Sequence, residues 1–331
     1  MMPTIITPEL PDPTQPVATL PIAEMSIAEM PIAEMPIAEI PIAEIPIAEA
    51  GRLLMAGELA IIQTHWPALR LAADTTAVHE TRKAIRRTFT LFKLFAPYFA
   101  PDELEPHRAT LRRMMRRLAP CRDAAVFRLK LAAYNETAEP PLTKLADHWD
   151  ERQARADEKL REYLGRRPVI RRLDRYTRLT VSPGMGLPRG KDRAAPLLVG
   201  HALPALLFQR VGAVRAWGAL LPTATPAQFH QLRIQFKELR YTLTFFEPVL
   251  SGCADLIDLS RQIQDHLGAL NDASVAVELL EGMKHHHDEA DRYRAFQQAE
   301  LERLTAGFLP LYAAFDRPEV RRELALTLAD L

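Results

Sequence analysis

From Gly51 onward, apolar positions recur at intervals of three and four, the period of a helix with one buried face. This patterning predicts helices over 51–73, 76–99, 101–118, 122–136, 141–164 and 167–179 in a first half. In a second half it predicts helices over 197–220, 226–250, 254–268, 271–288, 289–308 and 317–329. No run of alternating β-branched residues calls for a sheet. Between the halves, VSPGMGLPRGKDRAAP at 181–196 is rich in Pro and Gly and reads as a linker. Thr225-Pro226, and Asn271 or Asp272, are expected to cap helix N-termini. The expected fold is all-α, two antiparallel bundles in tandem over 51–180 and 197–331.

Two of these helices carry a cationic stripe opposite the apolar one. FHQLRIQFKELRYTLTFF at 229–246 places His230, Arg233, Lys237 and Arg240 within about 80° of one another, with Leu232, Phe236, Leu239, Leu243 and Phe246 on the far side. VHETRKAIRRTFTLFKLF at 78–95 likewise puts His79, Arg82, Arg86 and Lys93 on one face. LAPCRDAAVF at 118–127 then resembles LGALNDASVA at 267–276, pairing Asp123 with Asp272. The matched order of these segments predicts an internal duplication.

Residues 21–50 interrupt the helical pattern altogether. They are six pentapeptides of the type PIAEM, and proline at nearly every fifth position excludes a continuous helix. The expectation for 1–50 is an extended, disordered spacer. It is acidic, with eight carboxylates and no Lys or Arg.

Charge segregation makes the formal net charge of zero uninformative. Residues 79–178 hold 24 Lys or Arg against 14 acids, whereas residues 251–331 hold 8 against 15. An electropositive middle points to a polyanionic partner. Arg108, Arg112, Arg113 and Arg116 belong to a stretch, 106–122, with six arginines and no acid. Without nearby carboxylates such a helix repels itself, and a phosphate ligand would supply the missing charge. Arginine suits that role because its planar fork donates two parallel hydrogen bonds.

Other chemistries are less well supported. Two cysteines, Cys121 and Cys253, are too few for a disulfide framework and are expected to be buried thiols. His285, His286 and His287 are consecutive and point in different directions from a helix, so a polar helix end is expected there and not a metal site. No apolar run spans a bilayer and the N-terminus carries no secretory signal, so a cytoplasmic protein is expected. HETR at 79–82 faintly resembles a phosphoaccepting histidine box, but HQLR lacks the acid and no nucleotide pocket accompanies it. No nucleophile, metal cage or acid–base pair is evident, so the expectation is a binding protein without cofactor, not an enzyme. Single-stranded nucleic acid is the alternative ligand, kept open by Tyr241 and Phe245 on the flank of the second stripe.

The paired stripes and the LAPCRD and LGALND segments resemble the signatures of CHAD domains, the conserved histidine α-helical domains. The resemblance covers about 51–331. It implies two pseudo-symmetric helical bundles around a basic cavity that binds inorganic polyphosphate, association with polyphosphate granules, and ligand-facing roles for His79, Arg82, Arg86, His230, Arg233, Lys237 and Arg240. Phe89 stands where the family often has Arg, with Lys93 as the expected substitute, and Ala119 stands where Gly is common.

Overall fold

The computed structural model describes residues 42–184, 197–283 and 287–331. Among them are ten α-helices and no strand, the all-α class that the periodicity predicts. They are α1 (Ile47–Ala72), α2 (Thr75–Phe95), α3 (Glu105–Asn135), α4 (Thr143–Leu164) and α5 (Arg167–Val181), then α6 (Val199–Arg215), α7 (Pro226–Phe245), α8 (Ala254–Glu281), α9 (His287–Phe315) and α10 (Pro318–Ala329). Residues 1–41, most of the linker, and His285 and His286 lie outside the described residues, but the end of the expected spacer is ordered: Ile42–Glu44 form a 3-10 turn, α1 already begins at Ile47, and Ile45, Ile47 and Ala50 are buried in the core.

Local chemistry sets several boundaries. Asp74 caps α2 by accepting the Ala77 amide at 2.8 Å. Thr225 and Gln228 form a reciprocal capping box at the start of α7, with Pro226 in the first turn, where its missing donor costs nothing. The expected cap at Thr225 is therefore observed. The caps expected at Asn271 and Asp272 are not, because both residues lie inside α8. In the same way the two helices expected over 101–118 and 122–136 are one helix, α3, which runs through Pro120.

The physical reason is the buried stripe. Leu111, Met114, Leu118, Cys121, Ala124, Phe127 and Leu131 continue at three- and four-residue spacing across Pro120, and all are buried. In α8, Ile263, Leu267, Leu270, Ala273 and Ala276 do the same across Asn271 and Asp272. Burying an unbroken stripe outweighs the local preference for a break.

Helices α1–α5 pack on one another, as do α6–α10, and the two groups meet where α2 faces α7, α1 faces α6 and α4 faces α9. One apolar core runs through both groups, from Met55 and Phe92 to Phe236 and Phe308. A smaller core forms at the far end, where Phe127 stacks on Trp149 at 3.9 Å and meets Tyr293 of α9 edge-on at 5.5 Å. The starts of α1 and α6 are pinned together by backbone bonds from Ile47 to Leu197 (2.8 Å) and from Val199 to Ile45 (2.9 Å). Cys121 and Cys253 are both free and buried. No described helix is long and apolar enough to cross a membrane.

Candidate anion-binding cavity

The two cores leave a cavity of about 460 Å³ between them, walled by α2 and α3 on one side and α7 and α8 on the other. The apolar faces of α2 and α7 are committed to the large core, so their opposite faces point into this space. From α2 come His79, Arg82 and Arg86; from α7 come Arg233 and Lys237. α3 adds Arg122, Asp123 and Lys130, and α8 adds Asn271 and Asp272. Phe127 and Tyr293 of the small core form part of the wall.

Six Lys or Arg side chains thus share the cavity with two carboxylates. Each carboxylate is engaged: Asp123 lies 3.9 Å from Arg82, and Asp272 lies 3.4 Å from Lys130, crossing from α8 to α3. The remaining cations perturb one another. Burial, reinforced by Arg86 and Arg233, pushes the Lys237 ammonium down to about 8. Burial also lowers Arg233, with Arg86 the next cause, and lowers Arg82 and Arg122, where Asp123 and Asp272 respectively oppose the shift. His79 is held below its ordinary value by burial and then by the Arg122 charge, both of which favour its neutral ring. Arg82 Nη1, Arg86 Nε and Arg233 Nε are buried with no acceptor among the described residues. The lining thus carries more positive than negative charge, and three of its buried guanidinium N–H groups are unpaired.

Of the twelve residues that the sequence singled out, His79, Arg82, Arg86, Arg233 and Lys237 converge here. His230 lies next to the cavity, exposed, with its Nδ1 2.7 Å from Asn271 Oδ1. Lys93 and Arg240 do not line it. Lys93 lies 2.8 Å from the buried carboxylate of Glu238 in the seam between α2 and α7, and Arg240 reaches Asp265 of α8 at 3.8 Å. Arg108, Arg112, Arg113 and Arg116 are also elsewhere. Arg108 sits 3.7 Å from Glu105, Arg112 and Arg113 are exposed, and Arg116 lines a separate groove against α4. The stripe angle places a residue on a face but says nothing about which turn of that face meets a neighbour.

Sequence reasoning passed over Lys130 and gave Arg122 and Asn271 no place in the site. Their signal was present: Arg122, Val126 and Lys130 recur at intervals of four on α3, the helix that follows α2. Reading a helix break at Pro120 cut that face off from its neighbours. Tyr241 and Phe245, the two aromatics that favoured nucleic acid, are buried, and Arg87 stacks over Phe245 at 5.1 Å.

Fold and cavity together define an all-α protein organised around an inward-facing cluster of cations. The profile of the CHAD domain matches residues 54–281, more than half of the chain, and the chain belongs to that family. No curated protein matches the sequence. Solved structures share the fold, two of them over most of the chain. The CHAD domain from the plant Ricinus communis aligns with a TM-score of 0.70 at 19% identity, over 84% of this chain and 94% of its own. PptA from Streptomyces chartreusis aligns with a TM-score of 0.63 at 17% identity, over 81% of this chain and 100% of its own.

Proposed function

We propose that the protein binds inorganic polyphosphate in the cavity between α2, α3, α7 and α8, without catalysing its turnover. The observation that carries this reading is the lining itself: six Lys or Arg side chains from three helices against two carboxylates. Buried guanidinium N–H groups of Arg82, Arg86 and Arg233 lack acceptors there. A chain of phosphates supplies charge and oxygens together at closely spaced intervals, and arginine forks meet such oxygens two at a time.

The walls favour phosphate over nucleic acid. The two aromatic side chains of the lining, Phe127 and Tyr293, are buried in the small core and packed on each other. A base entering the cavity would find no free ring face on which to stack, and stacking is the main base-directed contact of generic single-strand binders. The same reading takes α1–α5 and α6–α10 as two copies of one five-helix unit. Its support is the parallel placement of the second and third helix of each set around the cavity. Association with polyphosphate granules would follow from the ligand.

The test is a titration of the full chain with polyphosphate at two salt concentrations, beside single-stranded DNA of equal charge. Arg82→Ala/Arg233→Ala is expected to lose roughly a hundred-fold or more in polyphosphate affinity, two charge-assisted contacts being removed. Equal binding of both polymers, unchanged in the variant, would show a generic cationic surface and sink the cavity reading.

A further inference from the structure

A second cluster of cations lies outside the cavity. α3 and α4 pack side by side, and a groove of about 340 Å³ between them is lined by Arg116 and Arg117 of α3 and by Arg152, Arg155 and Lys159 of α4. Pro120 and the buried Ala156 complete the lining, and no carboxylate is part of it. On α4 the three cations occupy positions i, i+3 and i+7, within about 60° of one another, with Glu151 and Glu162 at the edge of that stripe and Asp150 nearly opposite it.

A solvated charge run normally carries its own partners at i, i+4. Here Arg155 has one, Glu151 at 3.3 Å. Arg152 rests over the Trp149 ring at 4.6 Å and Arg117 over Tyr163 at 5.7 Å, which orients each guanidinium without neutralising it. Arg116 and Lys159 form no ion pair with a described residue. The groove therefore presents five positive charges on exposed side chains, of which Arg155 is paired within its own helix.

Its position relative to the cavity supplies the second observation. Arg152, in the groove lining, acts electrostatically on the carboxylate of Asp123, which lines the cavity. Along α3, Arg117 of the groove and Arg122 of the cavity are five residues, about 7.5 Å, apart. One helix thus carries a wall of each site, the two residues standing about 140° apart around it.

We propose that the α3–α4 groove is a second phosphate-binding surface that holds the part of a polyphosphate chain extending beyond the central cavity. This rests on the cavity reading and adds to it a physical basis for preferring long chains. A chain anchored in the cavity meets the groove at a high effective concentration, so the groove raises affinity only for ligands long enough to reach it.

The experiment compares inorganic tripolyphosphate with a polyphosphate of about a hundred units, titrated into the full chain. In Arg155→Ala/Lys159→Ala the affinity for tripolyphosphate is expected to stay within about two-fold, while that for the long chain falls about ten-fold with a shallower salt dependence. Arg116→Gln/Arg117→Gln, on the opposite wall, is expected to behave alike and covers the case in which the first variant folds poorly. Unchanged affinity for the long chain in both variants overturns the proposal. So does a loss confined to single-stranded DNA, which would make the groove a nucleic-acid surface. Failure of the cavity reading itself shows separately, as tripolyphosphate binding that Arg82→Ala/Arg233→Ala does not weaken.

Discussion

Lys93 donates from α2 to both carboxylate oxygens of Glu238 on α7, at 2.9 and 2.8 Å. The same carboxylate accepts a bond from Arg210 of α6. One buried acid therefore joins three helices next to Lys237, and it offsets two cations that would otherwise add to the repulsion in the cavity wall. The consequence is a residue that serves the site by holding its walls and not by facing its ligand.

Glu238→Ala is accordingly expected to destabilise the protein by about 3 kcal/mol, because it leaves the mostly buried Arg210 uncompensated. A lower urea midpoint with an unchanged slope would confirm it. A midpoint within experimental error of the parent would mean that solvent replaces the pair at no cost.

Lys237 is expected to trade stability for binding. Its ammonium is pushed down to about 8, so the folded state holds fewer protons than the unfolded state between about pH 8 and 10.5. Stability contributed by this group therefore rises with pH through that window, and below it the full cost of a buried charge is present. Lys237→Met should raise the melting temperature at pH 7 while weakening polyphosphate binding. A variant that loses both stability and affinity would show that the ammonium is compensated in the free protein.

Ligand binding should take up protons. Burial, and after it the charge of Arg122, keeps the His79 ring below the usual histidine range, and a polyanion opposes the second of these causes. Calorimetric titrations near pH 7 in buffers of different ionisation enthalpy are expected to show net uptake, reduced in His79→Gln. Identical heats in all buffers would place His79 beyond the reach of the ligand.

The large core contains a further titrating group remote from the cavity. His107 packs on Tyr176 at 5.3 Å, and burial, with Arg175 a smaller cause, pushes its ring down to about 4. The unfolded chain binds a proton near pH 6.5 and the folded chain does not until about pH 4, so stability is lost as pH falls through that interval. Glu58 runs the other way. Its carboxyl is pushed up to about 7 by burial, against the opposing charge of Arg87, so its contribution is lost as pH rises from 4.5 to 7. Subtracting the stability profile of His107→Gln from that of the parent isolates the histidine term, expected to reach roughly 3 kcal/mol near pH 4. A flat difference would mean that the buried ring is protonated at no cost.

Close packing of α1 on α2 gives a last expectation. A Cβ added at Gly51 would stand 2.6 Å from the Phe95 ring, which is fully buried and has no room to withdraw. Gly51→Ala should cost about 1–3 kcal/mol despite the better helix propensity of alanine. An unchanged melting temperature would show that α1 can shift outward freely.

The sequence by itself determined the helical class and the faces of α2 and α7. Periodicity fixes which side of a helix is apolar, and burying that side leaves His79, Arg82, Arg86, Arg233 and Lys237 no other direction to point. It also determined the start of α7, since Thr225, Pro226 and Gln228 act through bonds only a few residues long. What the tertiary structure decided is of a different kind. α3 continues through Pro120, and α8 through Asn271 and Asp272, because stripes of buried side chains outweigh a local signal. Lys93 shares the stripe of Arg82 yet pairs with Glu238, and Arg240 shares that of Arg233 yet reaches Asp265. Which turn of a helix faces a cavity depends on where a partner helix crosses it, and no spacing along one chain segment encodes that crossing.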